Sequence, residues 1–411
     1  MLLNKKGRVL ILVPLIISFA VLPGWASEPI RIAFFDPLSG PFKRTGDNYV
    51  AAFEFLAEEI NESGGLLGRK VEFIAEDSQF KPDVAVRKAR KHILEGVKII
   101  GTGTGTHISR ALQELAEKEK VLFFIYGTEG DEITGKFCNS YTFRTSPNTD
   151  MRSMAIANFL ATKPCRKFYT IAMDYAFGHD AATGFIRRVQ QVMPDAKIVG
   201  EDYHPIATKD FGPYISKMMA AKPDAIFTSN WALDLLNLMK QARDMGVKAP
   251  FVCYYLNDPA QTLPGVKEGA IGSWACEAYM ETVRTSANRD FLQRWSKKPK
   301  LVAFEKWPAI HIGKAYNGAK FMIEAIKKAG TMDVPKIIKT WEGMKWESVI
   351  GPVTMRAEDH QIMMPIPIAE IIPTTNEFYP FPYVGEPSMI PIEKTTVPLN
   401  DTGCTRKKGE L

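Results

Sequence analysis

Short apolar runs alternate with longer amphipathic runs along most of this chain, and that alternation narrows its possible folds more than any other feature. The apolar run over 30–35 is closed by Asp36-Pro37, as expected of a buried first strand. Val50, Phe53, Ala57 and Ile60 recur at helical spacing over 45–62, and Gly64-Gly65 stops that helix. A strand over 71–75 follows. Pro82 then opens a helix carrying Val86, Ala89 and Ile93 that ends at Gly96. Strand 97–100, helix 108–119 and strand 121–125 complete the first series. After Arg144 the rhythm restarts: helices over 150–161, 178–192, 211–221 and 231–245 alternate with strands over 168–173, 196–201, 225–228 and 251–255. Parallel strands need a crossover between them, so the two series predict an α/β chain with two doubly wound parallel sheets, each covered on both faces. Past residue 278 the pattern turns helical, with helices over 307–329 and 334–341. Segments 351–355 and 362–372 read as a late hairpin, and the proline-rich chain from Pro373 is expected to wrap the surface with little regular structure.

The length of 411 residues allows two to three domains at about 150 residues each. With 45% apolar and 24% charged residues the composition is that of a packed protein, which excludes disordered and collagen-like classes. Lys5, Lys6 and Arg8 precede an apolar stretch over 9–22, and Gly24-Trp25-Ala26 offers small residues for cleavage before Ser27. This is the layout of a signal peptide over 1–26, and it predicts export. The apolar stretch is too short for a membrane-spanning helix of about 20 residues. Its removal lowers the formal charge from +6 to +3, and no basic stripe interleaved with aromatics points to nucleic acid. Export permits disulfides. Cys138 and Cys165 each precede a strand-like run, and Cys253 and Cys276 each lie in one, so the expected bridges are Cys138–Cys165 and Cys253–Cys276, with Cys404 left over. Buried free thiols are the alternative. No CxxC or HxxxH spacing occurs, so no metal or other cofactor is expected.

Several motifs in this order are distinctive: Pro37-Leu38-Ser39-Gly40-Pro41, then Gly46, and Ile60-Asn61-Glu62-Ser63-Gly64-Gly65 followed by Gly68-Arg69-Lys70-Val71-Glu72. Phe143-Arg144-Thr145, Tyr175-Ala176-Phe177-Gly178, Lys240-Gln241-Ala242, Gly351-Pro352-Val353-Thr354-Met355 and His360-Gln361 extend the series. From about Ile30 to Ile372 the chain resembles the periplasmic leucine/isoleucine/valine-binding proteins, the type I solute-binding components of ABC importers. The resemblance implies two α/β lobes joined by three crossover strands, with ligand held in the cleft between them. Carried over, lobe one is 28–148 plus 279–348 and lobe two is 149–278 plus 349–385, leaving 386–411 as a polar tail. It also implies a periplasmic protein that performs no catalysis and delivers a small carboxylate, such as a branched or aromatic amino acid, to the permease subunits of the transporter; the two-lobe pattern without heptads or a long exposed apolar helix predicts a monomer.

Ligands of parallel sheets sit beyond the carboxyl ends of strands, which directs attention to the loops there. Gly101-Thr102-Gly103-Thr104-Gly105-Thr106 joins a strand to a helix; its small residues, hydroxyls and helix N-terminus suit an anion. Thr106 breaks a dinucleotide GxGxxG, and no Gly-Lys pair makes a P-loop. The resemblance assigns a ligand carboxylate to Thr104, Gly105 and Thr106, with Tyr126, Gly127 and Thr128 in the next loop. Phe177 and Trp231 are candidate cleft walls from the opposite lobe, and Thr45, with Arg44 beside it, is a candidate in the first loop. Amino-acid-binding relatives place an acidic residue near the position of Tyr255 to hold the ligand ammonium. Here Tyr255 carries no charge, so Asp258 and Asp150 are the candidate substitutes, and a non-amino aromatic carboxylate is the alternative ligand. A sensory module of the same fold is a further alternative. No GxSxG elbow supports a hydrolase, and no particular carboxylate pair is singled out for a glycosidase.

Overall fold

A computed structural model describes residues 28–373 and 378–410; the expected signal peptide lies outside them. Five parallel strands, β1 (Ile30–Asp36), β2 (Val71–Asp77), β3 (Ile99–Thr102), β4 (Leu122–Ile125) and β5 (Thr142–Arg144), form the first sheet in the order β2-β1-β3-β4-β5. Helices α1 (Lys43–Glu62), α2 (Pro82–Leu94) and α3 (Thr106–Glu119) connect them. The order reverses at β1 and β3, which leaves a crevice at their carboxyl ends.

The chain then leaves this sheet through α4 (Thr149–Leu160) and builds a second one from β6 (Lys167–Met173), β7 (Lys197–His204), β8 (Ala225–Thr228), β9 (Phe251–Tyr254) and β10 (Trp274–Cys276). These five are parallel and run β10-β9-β8-β6-β7. It returns to pack helix Ile310–Ala329 on α1. Strands β11 (Lys345–Ser348), β12 (Gly351–Met355) and β13 (Ile362–Met363) form a small antiparallel sheet. The fold is thus α/β with two doubly wound lobes. Among the described residues no helix is long and apolar enough to cross a membrane.

The late hairpin is corrected in part. β12 and β13 do pair, through Met355 and Ile362, but β14 (Ile366–Ile372) joins the second sheet antiparallel to β10. Its first four residues are all buried, as befits a strand covered on both faces rather than a half-exposed hairpin arm. The tail is also more regular than expected. β15 (Tyr383–Val384) and β16 (Ser388–Ile390) both pair with β14, and a helical turn at Leu399–Thr402 precedes Cys404.

Neither expected disulfide exists. Cys404 bonds to Cys138, and Cys165, Cys253 and Cys276 are free and buried. Cys138 and Cys165 flank the passage from one lobe to the other, so their strand-like neighbours belong to different sheets. Cys253 and Cys276 lie on adjacent strands but out of register: Cys253 faces Ala275 and Cys276 faces Tyr254. Side chains alternate along a strand, so the two thiols point to opposite faces and enter different core clusters. The bridge that does form ties the tail, which starts on the second sheet, to the first lobe.

Thiol titration of the unreduced, denatured protein is expected to find three reactive cysteines, rising to four in Cys404→Ser; one or five in the unsubstituted protein would contradict the Cys138–Cys404 bond.

Candidate functional site

Between the lobes lies a cavity built from strand-end loops on one side and helix starts on the other. The loop after β3 supplies Gly103, Thr104 and Gly105, and α3 begins at Thr106. Gly105 has φ +88°, a left-handed conformation that suits glycine, and no side chain caps the helix. The first N–H groups of α3 therefore lack intrahelical partners at the cavity edge. Gly103 is required by close packing: a Cβ there would lie 2.5 Å from the Tyr126 ring and 2.6 Å from that of Tyr49.

Asp36, the last residue of β1, holds this loop from behind. It accepts the Gly103 N–H at 3.0 Å on one oxygen and the Tyr126 hydroxyl on the other. Burial raises its pKa from the usual 3.8 to about 6, while Tyr126 and the loop amides oppose that rise. The buried Thr104 hydroxyl lies beside Asp36 and Tyr49, and Thr104 lines the cavity.

The opposite wall is aromatic. Tyr255 follows β9 with φ +59°, a conformation uncommon for a non-glycine residue, and its ring borders the cavity. Trp231 precedes helix Ala232–Asp244 and donates its indole N–H to the Tyr175 hydroxyl at 3.2 Å. Across the mouth Trp231 stacks on Phe42 of the first lobe with ring centroids 4.5 Å apart, so the lobes meet over the cavity.

Four buried charges stand beside it. Arg152 of α4 pairs with Glu129 at 2.6 Å and with Glu277, just after β10, at 3.2 Å. Lys314, in helix Ile310–Ala329, lies 3.6 Å from Glu129 and 3.9 Å from Glu277. Burial disfavours the Arg152 charge, but the two carboxylates overcome it and hold the guanidinium protonated. His311 is kept neutral, first by burial and then by Lys314 and Arg152. Lys314 and Glu129 line the cavity, with Tyr255 4.7 Å below Arg152 and 5.0 Å from Lys314.

Of the residues singled out by sequence, Thr45, Thr104, Gly105, Thr106, Gly127, Thr128, Phe177, Trp231 and Tyr255 line one cavity. Three do not. Tyr126 lies beneath Gly103 with its hydroxyl on Asp36, because β4 turns its ring into the core. Asp150 is spent on Arg188 at 2.5 Å and Arg187 at 2.8 Å. Asp258 accepts backbone N–H groups of Ala260 and Thr262 and borders an adjoining pocket that shares Thr45, Trp231, Tyr255 and His311 with the cavity. Arg44 pairs with Glu305 at 2.5 Å. Sequence reasoning missed Tyr49, Phe80, Glu129, Tyr175, His311 and Lys314. Lys314 had a signal: a lone lysine in the run Ile310-His311-Ile312-Gly313-Lys314-Ala315, in a helix buried along most of its length.

The chain belongs to a family of solute-binding proteins. The family described as "Periplasmic binding protein" matches residues 29–376. Leu/Ile/Val-binding protein homolog 4 of Brucella melitensis is 29% identical over 406 residues, covering 92% of this chain and 95% of that one. The Brucella ovis leucine-, isoleucine-, valine-, threonine- and alanine-binding protein, in a closed conformation, superposes with a TM-score of 0.81 at 26% identity, covering 91% of this chain and 98% of that one. An ABC-transporter solute-binding protein from Rhodopseudomonas palustris, in complex with 3,4-dihydroxybenzoic acid, gives 0.76 at 26% identity, covering 88% and 97%. This chain is thus a periplasmic binding protein of the ABC-transporter type.

Because Asp36 has its pKa raised on folding, the folded chain keeps a proton that the unfolded chain loses between about pH 4 and 6. Its contribution is present below pH 4 and lost as the pH rises through 6. Urea unfolding at pH 4 and pH 7 is expected to show the unsubstituted protein losing about 2 kcal/mol relative to Asp36→Asn. Parallel curves for the two proteins would place the Asp36 proton elsewhere.

Proposed function

We propose that this chain is the exported capture component of an ABC importer, and that its cavity takes a small carboxylate with an apolar or aromatic body. One observation carries the reading. The cavity combines donors at one loop, the α3 N–H groups and the Thr104 hydroxyl, with walls made largely of aromatic rings. The loop donors at the α3 N-terminus favour an anion there, and the rings favour an apolar body. The names of the relatives agree with that chemistry: one binds aliphatic amino acids and one holds an aromatic acid.

The proposed mechanism is capture by closure. Ligand seated on the 104–106 loop recruits Trp231 and Tyr255 from the other lobe and shifts an open–closed equilibrium toward the closed form. The closed monomer then docks on the membrane permease subunits, and this chain performs no bond chemistry.

Calorimetric titration with a panel of aliphatic and aromatic acids, with and without an α-amino group, tests the reading. The best acid is expected to bind while its amide does not, and to lower the radius of gyration in small-angle scattering. Thr104→Val is expected to weaken binding by about 1.5–3 kcal/mol, the worth of a hydrogen bond to a charged group. An amide that binds as well as its acid, or unchanged affinity in Thr104→Val, would remove the carboxylate from this loop.

A further inference from the structure

The donors and acceptors left open at the cavity wall define a second polar station. Lys314 Nζ and Glu129 Oε1 face one another across 3.6 Å, and both residues line the cavity. Glu129 is 1% exposed and Lys314 2%, yet neither of these two atoms makes a hydrogen bond within the protein. The other oxygen of Glu129 is taken by Arg152 at 2.6 Å.

An ammonium can only donate and an ionised carboxylate can only accept. A ligand group lodged between these two atoms must therefore accept from Lys314 and donate to Glu129. A ligand carboxylate does the first and is repelled by Glu129. A ligand ammonium does the second and is repelled by Lys314. Like charges a few ångströms apart in a buried site are costly, because little solvent screens them. A hydroxyl does both through one oxygen. It also adds no charge to a quartet whose two cations and two anions already balance.

Resting on the carboxylate reading above, we propose that the ligand is a hydroxy acid whose hydroxyl bridges Lys314 and Glu129. Its carboxylate lies on the Thr104-Gly105-Thr106 loop, and its body lies against Trp231 and Tyr255. The hydroxyl belongs either to a ring, in a phenolic acid, or to the α-carbon, in a 2-hydroxy acid; the bridging chemistry is the same.

Calorimetry with two matched pairs decides between these sources and tests the assignment. The pairs are 4-hydroxybenzoate with benzoate, and 2-hydroxy-4-methylpentanoate with 4-methylpentanoate, with leucine as the ammonium-bearing counterpart. In one pair the hydroxy acid is expected to bind at least about tenfold tighter than its deoxy partner, and that pair identifies where the hydroxyl sits. Leucine is expected to bind more weakly than its 2-hydroxy analogue. In Lys314→Met, with folding checked by its melting transition, the hydroxyl advantage is expected to vanish. Deoxy acids or leucine binding as tightly as the hydroxy acids, with the affinity still lowered by Thr104→Val, would overturn the hydroxyl bridge and leave the carboxylate reading standing. The unsubstituted protein gives that answer even if the Lys314 variant does not fold. Survival of the hydroxyl advantage in Lys314→Met would likewise overturn the bridge. Failure of every acid to bind would overturn both.

Discussion

Arg152, Glu129, Glu277 and Lys314 form a closed set of alternating charges with almost no exposure to water. Desolvating four ions costs several kcal/mol each, and the arrangement recovers that only because each cation lies near both carboxylates. Glu129 and Lys314 hang from the first lobe, while Arg152 and Glu277 hang from the second. The set therefore favours one relative placement of the lobes, since moving them apart strands charges of both signs. It also brings Tyr255 under Arg152 and beside Lys314, so the same electrostatics that hold the lobes shape the cavity wall.

A second buried network joins the strands that pass between lobes. Arg144, at the end of β5, donates to Gln361 at 2.6 Å, to the Gly130 carbonyl at 2.5 Å and to the Thr134 hydroxyl. Gln361 in turn donates to the Ser146 carbonyl at 2.8 Å, and the Arg144 N–H reaches the His360 carbonyl at 2.9 Å. Burial pulls Arg144 down to about 10, which still leaves it charged at neutral pH. Two crossings thus share one set of hydrogen bonds. The Cys138–Cys404 bond adds a covalent link of the same sense, because the tail runs from β14 of the second sheet to the first lobe. Arg406 reinforces it by binding Glu342 and the Ala357 carbonyl.

Much of the fold was legible because its signals are local. A period of two or of 3.6, a glycine stop and a proline start each depend on neighbours within one element, and the two βα series and the strand-end loops followed from them. The loop residues of the site were legible for the same reason: Thr104, Gly105 and Thr106 lie where any parallel strand passes to a helix. Glu129 and Lys314 were not, since they are 185 positions apart and meet only when helix Ile310–Ala329 packs on α1.

The cysteines draw the boundary most clearly. Sequence placed Cys253 and Cys276 on strand-like runs, and they do lie on adjacent strands, yet a register offset of one residue turns their thiols to opposite faces. It placed Cys138 and Cys165 beside strands too, but those strands belong to different lobes. By itself the sequence determined the strands and helices of the two βα series, and which loops end beside a crevice. Tertiary structure alone decided which side chains meet, because strand register and the crossing between lobes are set by packing over hundreds of residues, and no local pattern of residues encodes them.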